Sequence, residues 1–208
     1  MTKAEGVDAA PLAAFGTATV AEACALARIL EAPPRPLSPG MRAAGRALTV
    51  RTRPGDNLAL HRAMAIAQPG DVLVVESGQD RSHGPFGEIM ALACQMRGIA
   101  ALVIDGTVRD SVAISALGFP VFARGLHIRG TTKADEGEIG GSVTIGGNVI
   151  ATGDIVVADA DGVIVLPAQA LDAALAAARR RAENEARMME RLRAGETTLQ
   201  ILGLEGAG

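Results

Sequence analysis

The chain has 208 residues, of which 49% are hydrophobic and 21% charged, an ordinary globular composition with length enough for one sizeable core. Its 20 basic and 23 acidic residues leave a net charge of −3, so no global field draws it to nucleic acid or to an anionic membrane. Trp and Tyr are absent, which excludes a tyrosine acid, base or nucleophile and a tryptophan stacking platform from any mechanism.

In chain order, the N-terminal MTKAEGVDAAPLAAFG carries acids where a signal peptide needs an unbroken apolar run. No stretch of about 18 uncharged apolar residues follows anywhere, so a soluble, cytoplasmic protein is expected. One domain over 1–208 is expected, with roughly the first 15 residues and the last few flexible. Residues 19–31, TVAEACALARILE, have helical spacing with Thr19 as N-cap, and the prolines of APPRP stop them. A β-like stretch over 47–52 leads through Pro54-Gly55-Asp56 into a helix over 57–67, closed by Gln68-Pro69-Gly70. DVLVVE (71–76) is an apolar run of strand length, followed by a Gly/Ser/Pro loop and a helix over 87–97. AALVI (100–104) is a second such run, Asp105-Gly106-Thr107 turns, 110–117 is a short helix and 120–123 a third strand. Strands alternating with helices at this spacing imply parallel βα units with right-handed crossovers.

From Gly125 the chain turns Gly-rich, with short β segments SVTI, NVIA, DIVVAD and GVIVL and no helix long enough to cross over. This half reads as antiparallel. Asp159 to Gly162, DADG, is a hairpin turn rather than a calcium loop, because the later ligands are missing. A long helix over 168–194 follows, with Leu171, Leu175, Ala178, Ala182, Met189 and Leu192 as a stripe packed on the sheet. The apolar tail ETTLQILGL calls for a neighbouring subunit.

Several chemistries lose support. Cys24 and Cys94 have no CxxC partner and read as reduced thiols. There is no GxGxxG after a strand, no GxxxxGK[ST], no HExxH and no GxSxG. His61 reads as structural, while His83 lies in the loop before Gly87 and His127 in a Gly-rich stretch. A Schiff-base enzyme would have to use Lys133, since Lys3 is the only other lysine, yet TTKADEGE reads as hydrated and unsuited to a depressed amine pKa.

Two successive βα units remain. Adjacent parallel strands ending at one edge bring the helix starts at Gly87 and Asp110 to a common crevice, where open α/β sheets bind ligands. The backbone N–H groups of Gly87, Glu88, Ile89 and Met90 suit a carboxylate. Arg109 offers a planar fork for a carboxylate or keto oxygen, and Asp110 a hard oxygen ligand for Mg²⁺ or Mn²⁺. Equally, Asp110 could simply cap its helix and Arg109 pair with a nearby acid.

The segments GDVLVVESG, GPFGEIMALACQMRGIAALVIDGTVRDSVAISALGFPVFARG, GTTKADEGEIGGSVTIGG and TGDIVVADADGVIVLP resemble the class II 4-hydroxy-4-methyl-2-oxoglutarate/4-carboxy-4-hydroxy-2-oxoadipate aldolases. That family also contains the regulator of ribonuclease activity A (RraA). The likeness runs over roughly 16–204 and includes Glu88 separated by 20 intervening residues from Arg109-Asp110. It implies an α/β, αββα sandwich assembled as a homotrimer or a dimer of trimers, with active sites at subunit interfaces. It further implies divalent-metal-dependent cleavage of a 4-hydroxy-2-oxo acid to pyruvate and a second 2-oxo acid, with oxaloacetate decarboxylation as a side activity. By that resemblance Gly87 to Met90 hold the pyruvyl carboxylate, Arg109 the pyruvyl oxygens, and Asp110 the Mg²⁺ or Mn²⁺, largely through waters. Glu88 stands at an acidic position where many relatives have Asp. Glu22 matches an acid contributed by the adjacent subunit, often preceded by His where this chain has Ala21, and Glu196 reads as a tail acid. Gly130, Thr131 and Lys133 match the carboxy-hydroxyoxoadipate subgroup, whereas GSVTIGG departs from it. The competing expectation is a non-catalytic protein that binds and inhibits a ribonuclease.

Overall fold

The computed structural model describes residues 8–205 of the chain; Lys3 and the outermost residues at both ends lie outside that range. Among the described residues thirteen strands and six α-helices follow one another. The N-terminal third holds α1 (Thr17–Ala23), β1 (Arg28–Ile29), β2 (Arg35–Pro36), β3 (Ala43–Arg51) and α2 (Leu58–Ile66). The middle holds β4 (Asp71–Glu76), α3 (Glu88–Met96), β5 (Ala101–Ile104), β6 (Thr107–Val108), α4 (Ser111–Leu117), β7 (Val121–Ala123) and β8 (Gly125–Leu126). The remainder is β9 (Glu138–Ile139), β10 (Ser142–Ile145), β11 (Asn148–Ala151), β12 (Ile155–Ala158), β13 (Val163–Leu166), α5 (Leu171–Arg193) and α6 (Thr198–Leu202).

The main sheet runs β1-β13-β12-β3-β4-β5-β7-β2, with β9 also paired to β3. β3, β4, β5 and β7 are parallel neighbours, the consequence of the βα alternation. The Gly-rich half is antiparallel: β12 pairs with β13 and β3, and β10 with β11. Every residue of β5 and the four central residues of β4 are buried, which is why those strands are unbroken apolar runs. Alternation splits β12 between two cores. Val156 and Ala158 join the large core with Phe86, Phe119, Val143 and Ile150, while Ile155 and Val157 join Leu12, Val20, Leu171, Ala174 and Ala178 under α1 and α5.

Three expectations are corrected. The opening helix spans Thr17–Ala23, not 19–31: Cys24 turns extended, and Arg28–Ile29 pair with Val165 and Ile164 of β13, so strand pairing outweighs the helical spacing. Ala10–Ala14, expected to be flexible, form a 3₁₀ turn that buries Leu12. Of the expected α5 stripe only Leu171 and Ala178 are buried, with Ala174 beside them, and Met189 and Leu192 are exposed. The Asp159 turn closes the β12–β13 hairpin, its carboxylate accepting from the Thr17 amide and hydroxyl, Asp161 N and Gly162 N. Burial favours the neutral acid there, but these donors outweigh it and hold the pKa below the usual range. Both cysteines are free and buried, and burial pushes the Cys94 thiol up to about 12. No described helix is long and apolar enough to cross a membrane.

Candidate active site

The parallel order β4-β5-β7 brings the ends of β4 and β5 together, and with them the loops that open α3 and α4. Asp110 occupies the N-cap position of α4 in the left-handed conformation (φ 58°, ψ 36°) and makes no side-chain cap bond there. A non-glycine residue in that region costs about 1–3 kcal/mol. The consequence is an aimed carboxylate: Asp110 Oδ2 accepts from the Glu88 N–H at 3.1 Å, at the first turn of α3. Simple capping of α4 is therefore not what Asp110 does.

Two glycines make room for this. A Cβ on Gly87 would lie 2.3 Å from Asp110 Oδ2 and 3.1 Å from Arg109 Cγ and Nε. A Cβ on Gly84 would lie 2.2 Å from the His127 carbonyl oxygen and 3.0 Å from Arg109 Cβ. Arg109 itself is anchored by its backbone N–H to the Phe86 carbonyl at 2.9 Å, and Phe86 stacks on Phe119 with ring centroids 6.2 Å apart. Its guanidinium is half-exposed, Nε lying 3.7 Å from Asp110 Oδ2, and Nη1 passes close to Gly130.

The structure thus brings together Gly87, Glu88, Arg109 and Asp110, with Gly130 beside them. The amide cradle is smaller than expected. Asp110 takes the Glu88 N–H, which leaves the Ile89 and Met90 N–H groups, unpaired by their place in the first helical turn, beside the Arg109 fork. Glu88 is an exposed residue of that turn. Among the described residues no group of three or more His, Cys, Asp or Glu is arranged to hold a metal. A cation here would have the Asp110 carboxylate and little else from this chain, a donor set that suits Mg²⁺, which keeps several waters and binds through one or two carboxylates.

Glu22 is not part of this cluster. It sits on α1, which packs against α5, and pairs with Arg181. Glu196 pairs with Arg191. Lys133 is exposed, the hydrated setting expected of TTKADEGE. His61 is half-buried on α2, and burial, with the nearby Lys133 charge, lowers its pKa. His83 is held by Asp80 at 2.9 Å, and His127 Nδ1 accepts from Arg129 N.

Sequence reasoning missed Asp56 and Asn57. Asp56 is 1% exposed and accepts from Thr132 Oγ1 at 2.5 Å, Ala134 N at 2.8 Å and Leu58 N at 2.9 Å. Burial opposes its ionisation, but these bonds win and hold its pKa well below the usual carboxylate range. It thereby clasps the segment after Gly130 to the start of α2. Asn57 Nδ2 donates to the Pro85 carbonyl at 2.8 Å, steadying the loop that opens α3, and its Oδ1 is buried without a hydrogen-bond partner among the described residues. The only sequence signal for either was the Asp-Asn pair at a helix start.

The chain is similar to known proteins over most of its length. Residues 17–165 match the RraA-like family model, described as Aldolase/RraA. A Halalkalibacterium halodurans protein, provisionally named a 4-hydroxy-4-methyl-2-oxoglutarate aldolase, is 39% identical over 154 residues, covering 74% of this chain and 73% of that one. Among solved structures, Streptomyces coelicolor RraAS2, described as an unusual member of the RNase ES inhibitor RraA family, is 27% identical, with a TM-score of 0.76 over 92% of this chain and 100% of that chain. A Pseudomonas syringae protein of no stated activity is 26% identical, with a TM-score of 0.80 over 90% of this chain and 89% of its own.

Proposed function

The chain belongs to the RraA-like family of aldolases and RraA proteins, and on that premise we propose that it is a metal-dependent lyase. It cleaves a 4-hydroxy-2-oxo acid, such as 4-hydroxy-4-methyl-2-oxoglutarate or 4-carboxy-4-hydroxy-2-oxoadipate, to pyruvate and a second 2-oxo acid. The observation that carries this reading is the Arg109–Asp110 pair turned onto the start of α3. A regulator that works only through its outer surface has no need of a strained, aimed carboxylate beside a half-exposed guanidinium.

Retro-aldol cleavage breaks the C3–C4 bond, passes the proton of the 4-hydroxyl to water and sends the electron pair toward the C2 carbonyl. The Ile89 and Met90 N–H groups and the α3 dipole bind the substrate's C1 carboxylate. The Arg109 fork spans the carboxylate and the C2 oxygen, stabilising the negative charge that gathers there. Held by Asp110, Mg²⁺ or Mn²⁺ would supply Lewis acidity at the same carbonyl. Glu88, at the rim, orders water for proton return to C3. The same electron sink accepts the pair released when oxaloacetate loses carbon dioxide, so decarboxylation is a side activity.

The site is completed by assembly, as a homotrimer or a dimer of trimers. Ile89 (84% exposed), Leu92 and Met96 (78%) form an open apolar stripe on α3, and Val112 (84%) stands on adjoining α4, an exposed patch that a second copy would cover. Glu22 lies on α1, so any role in catalysis is played in a neighbour's site.

A coupled pyruvate assay over several 4-hydroxy-2-oxo acids, with and without Mg²⁺, tests the proposal. Cation-dependent turnover supports it. The second reading, ribonuclease inhibition, has the RraAS2 likeness in its favour, and is supported instead by inhibition of a ribonuclease together with no turnover on that panel.

A further inference from the structure

A separate cleft of about 410 Å³ opens beside the end of β7, lined by Ala32, Pro33, Arg35, Arg81, Arg124 and neighbouring residues. Its three guanidinium groups come from three different parts of the chain, and no carboxylate side chain lines it. Arg124 is largely buried and is fixed by Asp105 Oδ1 at 2.6 Å and by the Ala32 carbonyl. Asp105 neutralises that one charge. Arg35 donates through Nη1 to the Ala160 and Asp161 carbonyls at 3.2 and 3.1 Å and has no carboxylate partner among the described residues. Arg81, exposed in the loop after β4, makes no ion pair or side-chain hydrogen bond among them. Two of the three guanidinium groups in the cleft, Arg35 and Arg81, thus have no ion-pair partner among the described residues.

Its wall is rigid. Arg35 stands between Pro34 and Pro36, whose rings fix the local backbone, and β2 is pinned to β7 through Arg35↔Ala123 and Pro36↔Phe122. Ala32 adopts a left-handed conformation at φ 40°, holding its carbonyl onto Arg124. Ordering the Arg35 guanidinium in advance lowers the entropy a ligand must offset on binding, and together with the exposed Arg81 it offers two planar forks suited to the oxygens of carboxylate or phosphate.

We propose that this cleft is a binding site for a compact dianion, a small dicarboxylate or a phosphate, distinct from the Arg109–Asp110 site. Arg35 and Arg81 hold the ligand's charge, and Arg124 with its Asp105 partner forms the floor. The site does not depend on the lyase reading.

The test is calorimetric titration of the intact protein with succinate and, separately, inorganic phosphate, at constant ionic strength. The variants are Arg81→Glu, an exposed change with no partner to lose, the double variant Arg35→Ala/Arg81→Ala, and Arg109→Ala. Saturable binding of at least one probe at one per chain is expected, weakened about tenfold or more in the first two variants and changed by less than about twofold in Arg109→Ala. Which probe saturates tells dicarboxylate from phosphate. Absence of saturable binding, affinity unchanged in Arg81→Glu, or binding lost in Arg109→Ala overturns the proposal.

Discussion

Asp110 Oδ2 lies 3.1 Å from the Glu88 amide nitrogen, so a carboxylate at the start of α4 serves the start of α3 and not its own helix. The approach is possible only because position 87 has no side chain. Gly87→Ala would force Asp110 and Arg109 apart. Displacement of about an ångström at a reacting centre costs on the order of a hundredfold in rate. Pyruvate-release kinetics should show that loss in kcat/KM, with the circular-dichroism spectrum retained.

Asp110→Asn separates charge from shape. Asn tolerates the left-handed backbone, so the variant should melt within a few degrees of the wild type while losing turnover. A melting temperature that collapses together with activity would mean that Asp110 is chiefly structural.

Arg109→Lys keeps the charge but loses the planar fork. A fall of about 10²–10³ in kcat/KM is expected, the scale of removing one donor to a developing oxyanion. Steady-state kinetics should place most of it in kcat.

Asp56 predicts a pH dependence. Its folded pKa is held below the value of about 3.9 for an unfolded aspartate. The stabilisation is thus fully present above pH 4 and is lost as pH falls through the folded pKa. Denaturant titrations should show the wild type weakening below about pH 4. Asp56→Asn should be less stable at pH 7 by about 1–3 kcal/mol, with a smaller decline in acid.

Ile89→Glu places a charge on the open stripe of α3. Light scattering should report a smaller assembly than the wild type, and turnover should fall with it. An unchanged mass would remove this face from the interface.

Much of this was legible beforehand, for identifiable reasons. The apolar runs at 71–76 and 100–104 could only be buried strands, and their order set the edge where Gly87, Glu88, Arg109 and Asp110 meet. What escaped depended on distant partners. Arg28–Ile29 carry helical spacing and become a strand because β13 offers its edge. The reach of Asp110 to α3 follows from a left-handed φ that no residue pattern announces. Asp56 looked like one more turn residue, since Thr132 and Ala134, its partners, lie more than 70 positions away.

The proposed role of Asp110 is in cation-dependent carbon–carbon bond cleavage. Its most direct test is pyruvate release from 4-hydroxy-4-methyl-2-oxoglutarate by wild type and Asp110→Ala, each with added Mg²⁺ and with excess chelator. Turnover is expected from the wild type with Mg²⁺ alone, abolished by chelator and by the substitution. Chelator-insensitive turnover, or an active Asp110→Ala protein, would contradict it.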